Sequence, residues 1–361
     1  MLINIIGGGL AGCEAAYYLL KKGYAVTLYE MRPNKMTPAH TGGRLAELVC
    51  SNSLKSNIFE TAQGTLKAEM RLLDSIVIKC AEKSAVPAGS ALSVNREEFS
   101  KLIEETLAAF PNFTLVREEC SEITPNTIIC TGPLTSDKMS AELARLTGEK
   151  LHFYDAVAPI IRIDSVDFSS AFYASRYGKG EDTDYINCPL TKTEYKIFYD
   201  ALVSAERVVL KEFEKNEIFE GCMPVEVMAK RGEDAIRFGP MRPVGLTNAD
   251  GERFYAVLQL RREDTQNGLC NLVGFQTNLT FKEQKRVFGL IPALSNAEYV
   301  RYGVMHRNTF INAPEVLKPS FEFKAAAGVY LAGQLTGVEG YMESAATGLL
   351  AAINLHAKAE S

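Results

Sequence analysis

Two cysteines of this chain stand in polar surroundings where a thiol could react. Cys50 begins the polar stretch "CSNSLKSN", and Cys222 lies between a glycine and Met-Pro in "FEGCMPVEV". A structural cysteine normally has apolar neighbours, because a thiol behaves as a small hydrophobe. A thiol becomes a nucleophile only as the thiolate, which nearby cations or a helix N-terminus favour. Both positions are therefore candidate catalytic thiols, with an unreactive cysteine as the ordinary alternative.

The first thirty residues indicate a different chemistry, the binding of a dinucleotide. An apolar run at 2–6 precedes G-x-G-x-x-G, helix-favouring residues at 11–22 and a second apolar run that ends in Glu30. Such glycines allow a tight turn, close approach of the backbone to a pyrophosphate and close packing of helix on strand. The helix N-terminus would face the phosphates, and Glu30 would accept a hydrogen bond from a ribose hydroxyl. The site residues expected here are Gly7, Gly8, Gly9, Leu10, Ala11, Gly12, Glu30 and Arg32.

Two distant segments favour FAD over NAD as the dinucleotide. The segment "NTIICTGPLT" at 126–135 predicts a buried strand and a loop, and "GVYLAGQLTGVEGYMESAATGLL" predicts a strand, a glycine-broken loop and a helix. Flavoproteins of the glutathione-reductase type place corresponding elements beside the ribityl chain and the flavin ring. No second complete G-x-G-x-x-G unit occurs, so we do not expect a separate NAD(P)H-binding domain. The cofactor contacts expected from these segments are Thr131, Gly132, Gly333 and Gln334.

Composition limits the class of protein. The 361 residues are 47% hydrophobic and 23% charged, as in ordinary globular domains, and the net charge is −5. This balance argues against a strongly basic protein that coats nucleic acid, but it does not exclude a local basic groove. Eight scattered cysteines without a CxxC pair, no signal-peptide pattern and no apolar run of about 20 residues predict a cytoplasmic protein with free thiols. We expect no metal, no DNA and no membrane as ligand or partner.

The chain divides into a nucleotide-binding part and an inserted part. Segments 1–35 and 120–150 predict one doubly wound α/β sheet with helices. From about 151 to 298 tyrosine, proline and charged residues become frequent, and the strands are short and antiparallel. We therefore expect a FAD-binding domain formed by 1–150 and 299–361, with an α+β domain at 151–298 inserted into it.

Cations concentrate in and just after the inserted part of this acidic chain. A single lysine or arginine is usually solvated surface, but the density of cations between 228 and 310 favours an anionic partner. These cations are Lys230, Arg231, Arg237, Arg242, Arg261, Arg262, Lys285, Arg286, Arg301 and Arg307.

Together these motifs resemble those of the TrmFO family, the folate- and FAD-dependent tRNA uracil-5-methyltransferases. The resemblance covers most of the chain, including "INIIGGGLAGCEAAYYLLKKGYAVTLYEMRP", "ELVCSNSLKSN", "FEGCMPVEVMAKRG", "RYGVMHRNTFIN" and "LAGQLTGVEGYMESAATGL". The related MnmG family shares the flavin core but not this set of motifs. Family members carry a further C-terminal segment, so we expect its contacts to be absent or replaced here.

The resemblance also implies a mechanism. Cys222 would be the nucleophile that adds to uracil C6, and Cys50 the general base that removes the C5 proton. 5,10-Methylenetetrahydrofolate would donate the carbon, reduced FAD would carry it and supply the hydride, and NAD(P)H would be the nicotinamide cofactor. His306 and Tyr341 would stack on folate or flavin, with ordinary packing as the alternative.

Several functions stay open from the sequence. The usual family substrate is the T-loop uracil at tRNA position 54, which becomes 5-methyluridine. The same chemistry on a uracil of ribosomal RNA is an alternative, because target choice depends on RNA shape. A non-methylating flavoprotein that uses folate or NAD(P)H belongs to a different class, and so does a catalytically silent RNA-binding relative.

Overall fold

The structure, a computed structural model, describes residues 1–148, 151–178, 184–208, 223–248, 251, 253–263 and 268–360. Of residues 151–156, 178 and 305–308 it describes the backbone alone. The strands, in chain order, are β1 (Leu2–Ile6), β2 (Ala25–Tyr29), β3 (Ser53–Ser56), β4 (Ala85–Val86), β5 (Ala91–Val94), β6 (Phe113–Val116), β7 (Thr127–Ile129), β8 (Leu151–Ala156), β9 (Ile160–Arg162), β10 (Phe172–Tyr173), β11 (Tyr185–Leu190), β12 (Ala256–Arg262), β13 (Leu269–Leu272), β14 (Tyr299–Arg301), β15 (Met305–Phe310) and β16 (Val329–Leu331).

Polar side chains fix where many of the helices begin. The helices are α1 (Leu10–Lys21), α2 (Ala62–Leu72), α3 (Ile76–Lys83), α4 (Arg96–Ala108), α5 (Asp137–Thr147), α6 (Lys192–Ser204), α7 (Val225–Ala229), α8 (Glu233–Arg237), α9 (Phe281–Phe288), α10 (Ala313–Val316) and α11 (Tyr341–Glu360). The residues that accept a hydrogen bond from the first turn are Thr61, Ser75, Asn95, Ser136, Thr191 and Thr280. None of the described helices is both long enough and apolar enough to span a membrane.

The first and last parts of the chain build one parallel sheet in the order β16-β7-β1-β2-β6. Each neighbouring pair runs parallel, so the carboxyl ends of all these strands meet at one edge. The central strand is apolar, with Ile3 and Ile5 fully buried, as a strand covered on both faces requires. Helices α1 and α11 pack together against this sheet. Ligands of such sheets bind outside the carboxyl edge, which is therefore the place to search for a site.

The inserted part builds an antiparallel sheet in the order β10-β11-β12-β13-β9-β14. Alternate side chains of a strand point to opposite faces of a sheet. In β12 the side chains of Leu258 and Leu260 join the apolar core beneath α6, α7 and α9, so Gln259 and Arg261 belong to the other face. This sheet therefore has one apolar face and one polar face.

An antiparallel ribbon joins the two parts of the molecule. The chain enters the inserted part through β8 and leaves it through β15, and these two strands pair with each other along their whole length. Strand β14, at 299–301, pairs with β9 of the inserted sheet, just beyond the boundary at 298 that the sequence suggested. The division into 1–150, 151–298 and 299–361 stays a proposal, and the ribbon is its natural boundary.

The cysteines that the structure describes are all free thiols, as expected. Most are buried, which fits a small apolar side chain. Only Cys50 and Cys120 among them are partly exposed. The predicted catalytic residue Cys222 lies outside the described residues.

Candidate active site

The carboxyl edge of the parallel sheet encloses a cavity with an empty volume of about 770 Å³, which we call the dinucleotide cavity. Most of the cofactor residues expected from the sequence come together here. Gly12 does not line the cavity because it packs behind the turn, and the side chain of His306 lies outside the described part of the structure. The expected residues that line the cavity are Gly7, Gly8, Gly9, Leu10, Ala11, Glu30, Arg32, Thr131, Gly132, Gly333, Gln334 and Tyr341.

Two glycines of the first turn allow its close packing. Gly7 has a φ of +107°, and a Cβ there would lie 2.4 Å from the carbonyl oxygen of Cys130. A Cβ on Gly12 would lie 2.0 Å from the carbonyl oxygen of Gly7. Neither contact is sterically possible, so these positions need glycine for the helix to start directly at the sheet edge.

The start of α1 fits the pyrophosphate of a dinucleotide. No side chain of the described residues caps the N-terminus of this helix, and its first turn carries no acidic residue. The free backbone N–H groups and the positive end of the helix dipole suit a phosphate. A Cβ on Gly9 would meet no atom within 4 Å, because this glycine borders the open cavity.

Glu30 is a buried acid held in its ionised form. Its Oε2 accepts a hydrogen bond from the backbone N–H of Gly8 at 3.0 Å, and its Oε1 accepts from Arg32 Nε at 3.0 Å. Burial alone would raise the pKa of Glu30, but the charge and hydrogen bonds of Arg32 lower it below its usual value. A carboxylate oxygen has more than one acceptor position, so Glu30 can also accept from a ribose hydroxyl.

A second cavity, of about 1160 Å³ empty volume, lies between the two parts of the molecule, and we call it the cleft cavity. Cys50 lines it. Gln334 and Tyr341 line both cavities and therefore form their shared wall. Other lining residues come from the strand after Cys50, from the inserted sheet and from the start of α11, namely Ser51, Ser53, Leu54, Lys55, Arg261, Asn271, Val273, Gly274, Gln276, Gly340, Met342 and Glu343.

Tyr341 fixes the backbone of the loop that carries Cys50. The tyrosine Oη accepts hydrogen bonds from the backbone N–H of Cys50 at 2.8 Å and of Ser51 at 3.2 Å. Burial raises the pKa of Tyr341, and the neighbouring Cys50 thiol raises it further. The hydroxyl therefore stays neutral and keeps its accepting position beside the thiol. Stacking of the Tyr341 ring on a bound cofactor stays a proposal.

Two arginines, the buried Arg261 and the largely buried Arg96, hold the same loop from both sides. Arg96, at the start of α4, donates from Nη1 to the carbonyl oxygen of Leu48 at 2.7 Å. Arg261, in the inserted sheet, donates from Nη2 to Ser51 Oγ at 2.7 Å and from Nε to Asn52 Oδ1 at 3.0 Å. The position of Cys50 therefore depends on both parts of the molecule together.

An ion pair closes the contact between the two parts. Arg96 Nε lies 2.6 Å from Glu263 Oε2, and both side chains are largely buried. The Glu263 carboxylate also accepts a hydrogen bond from the amide nitrogen of Asn271. We did not single out Arg96, Glu263 or Asn271 in the sequence. The available signal was the alternation of polar Gln259, Arg261 and Glu263 along β12 and the residue that follows it.

Several of the clustered cations serve internal contacts. Arg261 holds the Cys50 loop, and Arg301 Nη2 donates to the carbonyl oxygen of Ala39 at 2.6 Å. The guanidinium of Arg237 lies 4.0 Å from the centre of the Tyr255 ring. The high density of lysine and arginine between 228 and 310 therefore reflects contacts within the protein as well as any surface that binds an anionic partner.

Two expected site residues cannot be placed by their side chains. Cys222 lies outside the described residues. His306 lies in β15, where its backbone pairs with Asp155 of β8. The stated expectations for both residues stay proposals.

Comparison with known proteins agrees with these motifs. The profile of the family described as Glucose inhibited division protein A matches residues 2–361. The methylenetetrahydrofolate–tRNA-(uracil-5-)-methyltransferases TrmFO of Listeria innocua and Bacillus subtilis are 58% and 57% identical to this chain over 355 residues, or 98% of it. The chain belongs to the TrmFO family. It spans 82% and 81% of the lengths of these two TrmFO proteins.

A solved structure shares the fold with this TrmFO family member. GidA of Aquifex aeolicus superposes with a TM-score of 0.74 at 17% identity, over 99% of this chain and 63% of the GidA chain. At this identity the likeness concerns the fold alone. The predicted fold class, a doubly wound α/β sheet of the FAD-binding type with an inserted α+β part, is confirmed.

Proposed function

We propose that this chain methylates C5 of uracil in tRNA, with 5,10-methylenetetrahydrofolate as carbon donor and FAD as cofactor. Relatives that are 54–58% identical over 98% of the chain carry the name of this activity. The observation that carries the proposal is the position of Cys50, a partly exposed thiol beside the shared wall of the dinucleotide cavity and the cleft cavity. A thiol placed there could reach a uracil and a cofactor ring at once.

FAD would occupy the dinucleotide cavity. The uncapped start of α1 would bind its pyrophosphate, and Glu30 would accept from its ribose. Thr131, Gly132 and Gly333 would line the path toward Gln334 and Tyr341 at the shared wall. When bound and reduced, FAD supplies the hydride and carries the one-carbon unit.

The thiols would divide the work on uracil. The Cys222 sulfur would bond to C6, which makes C5 nucleophilic, and Cys50 would later accept the C5 proton. The hydrogen bonds from Cys50 and Ser51 to Tyr341 keep the Cys50 loop in place for that proton transfer. His306 would contact folate or flavin from the ribbon between the two parts.

The finer parts of the proposal concern the target, the reductant and the compartment. We propose the T-loop uracil at tRNA position 54 as the target, NADH or NADPH as the source of electrons, and a cytoplasmic location. A ribosomal RNA uracil is the alternative target, and a non-methylating folate- or NAD(P)H-dependent flavoprotein is the alternative function.

Tritium release tests the proposal directly. The purified protein is incubated with tRNA that contains [5-³H]uridine, methylenetetrahydrofolate and NADPH, and tritium in water is measured. We expect release by the wild-type protein and a loss of about 100- to 10,000-fold for Cys50→Ala, because general-base catalysis contributes about that factor. Cys120→Ala, at the other partly exposed described cysteine, is the control and should remain active.

The same assay separates the alternatives. Release from ribosomal RNA and not from tRNA would change the target. Folate turnover that persists in Cys222→Ala, without tritium release by the wild-type protein, would favour the non-methylating flavoprotein. Full activity of Cys50→Ala would remove this thiol from the proposed mechanism.

A further inference from the structure

The cleft cavity has a polar wall that the proposed mechanism does not yet use. This wall is one part of the polar face of the inserted sheet, the face to which Arg261 of β12 belongs. Asn271 of β13 stands directly opposite Arg261 in the antiparallel register, so both side chains share that face. Arg261 and Asn271 both line the cleft cavity together with Cys50.

Arg261 is a buried cation with donors to spare. Two hydrogen bonds hold its guanidinium against Ser51 and Asn52. Among the described residues, Arg261 has no carboxylate in direct ion-pair contact, and the charge of Glu263 acts on it without a hydrogen bond. A guanidinium carries five N–H groups, and these two bonds engage only part of them. Arg261 is therefore a rigidly held donor for an oxygen atom of a ligand in the cleft cavity.

Asn271 presents the complementary group. Its amide nitrogen donates to Glu263, and because a carboxylate can only accept, the amide oxygen must face away from Glu263. The side chain is 4% exposed, and its oxygen accepts no hydrogen bond from the described part of the chain. An unpaired buried acceptor is unfavourable, so an N–H group of a ligand would relieve a cost that the free protein bears.

We propose that Arg261 and Asn271 bind the C4 carbonyl and N3–H edge of the target uracil, Arg261 donating to O4 and Asn271 accepting from N3–H. This inference rests on the proposed function. Directly opposite residues of an antiparallel pair have Cβ atoms about 5 Å apart, which suits two adjacent atoms of one ring. Cytosine presents an amino donor and a bare N3 acceptor at the same edge, so both contacts would be mismatched. The pair would therefore select uracil.

The pterin ring of the folate has a similar carbonyl and N–H edge, but its chemistry fits this position less well. In uracil the C4 carbonyl adjoins C5, the carbon that receives the methyl group. Arg261 is hydrogen-bonded to Ser51, the neighbour of Cys50, so an O4 atom at Arg261 would bring C5 toward the Cys50 thiol. The pterin has its one-carbon unit on N5, beside the corresponding carbonyl, but the proposed mechanism gives Cys50 no proton to remove from the pterin. The uracil is therefore the ligand we assign.

Arg261 would also assist the reaction. When the Cys222 sulfur bonds to C6, the π electrons of the C5–C6 bond move toward C4 and O4 becomes an enolate oxygen. The guanidinium donates a hydrogen bond to this oxygen without transferring its proton. A fixed donor aimed at developing negative charge lowers the barrier. Arg261 should thus affect turnover, whereas Asn271 should affect the choice of base.

The test uses two tRNA substrates that differ only at position 54, which carries uridine or 3-methyluridine. Methyl transfer from ¹⁴C-labelled methylenetetrahydrofolate is measured for the wild-type protein, Asn271→Ala and Asn187→Ala. We expect the wild-type protein to prefer uridine strongly. Asn271→Ala should lower kcat/KM for the uridine tRNA by about 10- to 100-fold. The ratio of kcat/KM for the uridine tRNA to that for the 3-methyluridine tRNA should fall at least about tenfold, because the lost contact discriminates by about that factor.

Further measurements separate the two heterocycles. The KM for methylenetetrahydrofolate and the flavin absorbance of Asn271→Ala should equal those of the wild-type protein. Asn187→Ala alters the same sheet face, at a residue bonded to Ala174 and Gln259 outside the cleft cavity, and should keep the full preference. Arg261→Lys should lower kcat by about 100-fold, the usual effect of removing a fixed donor, with a smaller change in the KM for tRNA.

Three results would overturn the inference. A raised KM for methylenetetrahydrofolate with an unchanged preference for uridine would assign Asn271 to the pterin. Wild-type kinetics of Asn271→Ala on both tRNAs would exclude it from binding. A wild-type protein that methylates neither tRNA would refute the proposed function and the inference with it.

Discussion

The two walls of the interdomain cleft are built in different ways. On the parallel-sheet side, the dinucleotide cavity is formed largely by backbone, namely a glycine turn and the uncapped start of α1. On the inserted side, the cleft cavity is formed by polar side chains such as Arg261 and Asn271, which hydrogen bonds hold in place. We call the glycine turn with the start of α1 the backbone wall, and Arg261 with Asn271 the side-chain wall. The backbone wall depends on a short local motif, whereas the side-chain wall depends on all the residues that pack around it.

The Cys50 loop is where these two kinds of wall meet. Tyr341 from the parallel-sheet side accepts from its backbone, and Arg261 from the inserted side donates to its side chains. The Cys50 thiol is therefore positioned by the contact between the parts. Substitutions on the two walls should therefore have different effects, which the following measurements distinguish.

The largest effect is expected for the backbone wall. Gly9→Val should fold normally, since a Cβ at Gly9 meets no atom within 4 Å, but its side chain would fill the space of the pyrophosphate. We expect a loss of bound FAD of at least tenfold and a corresponding loss of methylation, measured as flavin absorbance per protein. Ala109→Val, at the exposed end of α4, is the control and should keep its flavin. Normal flavin content in Gly9→Val would place the cofactor elsewhere.

The contact between the walls should give the next largest effect. Arg96→Met or Glu263→Gln leaves a buried charge without its partner, which typically costs about 3 kcal/mol of unfolding free energy. The double variant should cost less than the sum of the two by about 1 to 3 kcal/mol, because the residues interact directly. Urea unfolding of the four proteins measures this coupling.

An exposed ion pair provides the matched control for that cycle. Lys196 and Asp200 lie 2.9 Å apart on the surface of α6, each about half exposed. Lys196→Met should change the stability by less than about 1 kcal/mol. Strict additivity of the Arg96 and Glu263 variants would contradict the role of their ion pair as the link between the two walls.

The smallest expected effect is on the pH dependence of stability. It concerns Glu14, a buried acid of α1 that does not line the dinucleotide cavity. Glu14 in α1 accepts from Ser75 Oγ at 2.8 Å and from the backbone N–H of Val77 at 3.1 Å, at the start of α3. Burial raises its pKa from 4.5 to about 7. Between these values the folded protein holds a proton that the unfolded chain releases, so the wild-type protein loses stability as the pH rises.

Glu14→Gln should remove this pH dependence. From pH 5.5 to 8 the wild-type protein should lose about 2 kcal/mol more than the variant, at about 1.4 kcal/mol per unit of pKa difference. Urea unfolding at both pH values is the measurement, and tritium release should stay at the wild-type rate. Parallel pH profiles for the two proteins would show that burial does not perturb Glu14 as described.

The sequence predicted the backbone wall well and the side-chain wall poorly. The spacing of Gly7, Gly9 and Gly12 after an apolar strand carries the dinucleotide cavity in a few consecutive residues. Arg261 was visible only as one cation among many, and Asn271 was not noticed. The partners of Arg261, Ser51 and Asn52, lie in a distant part of the chain, and no local pattern pairs them with it. Asn271 and its partner Glu263 are eight positions apart, but only the register of β12 and β13 brings them together.

The amino-acid sequence by itself determined the glycine turn and the two candidate thiols, because each of these resides in a short run of neighbouring residues. It also determined the parallel sheet and the family, because several such runs recur along the chain. Only the tertiary structure decided that Tyr341, Arg96 and Arg261 converge on the loop of Cys50. The physical reason is that hydrogen bonds and ion pairs between buried groups depend on distance in space, and folding brings together residues that are hundreds of positions apart.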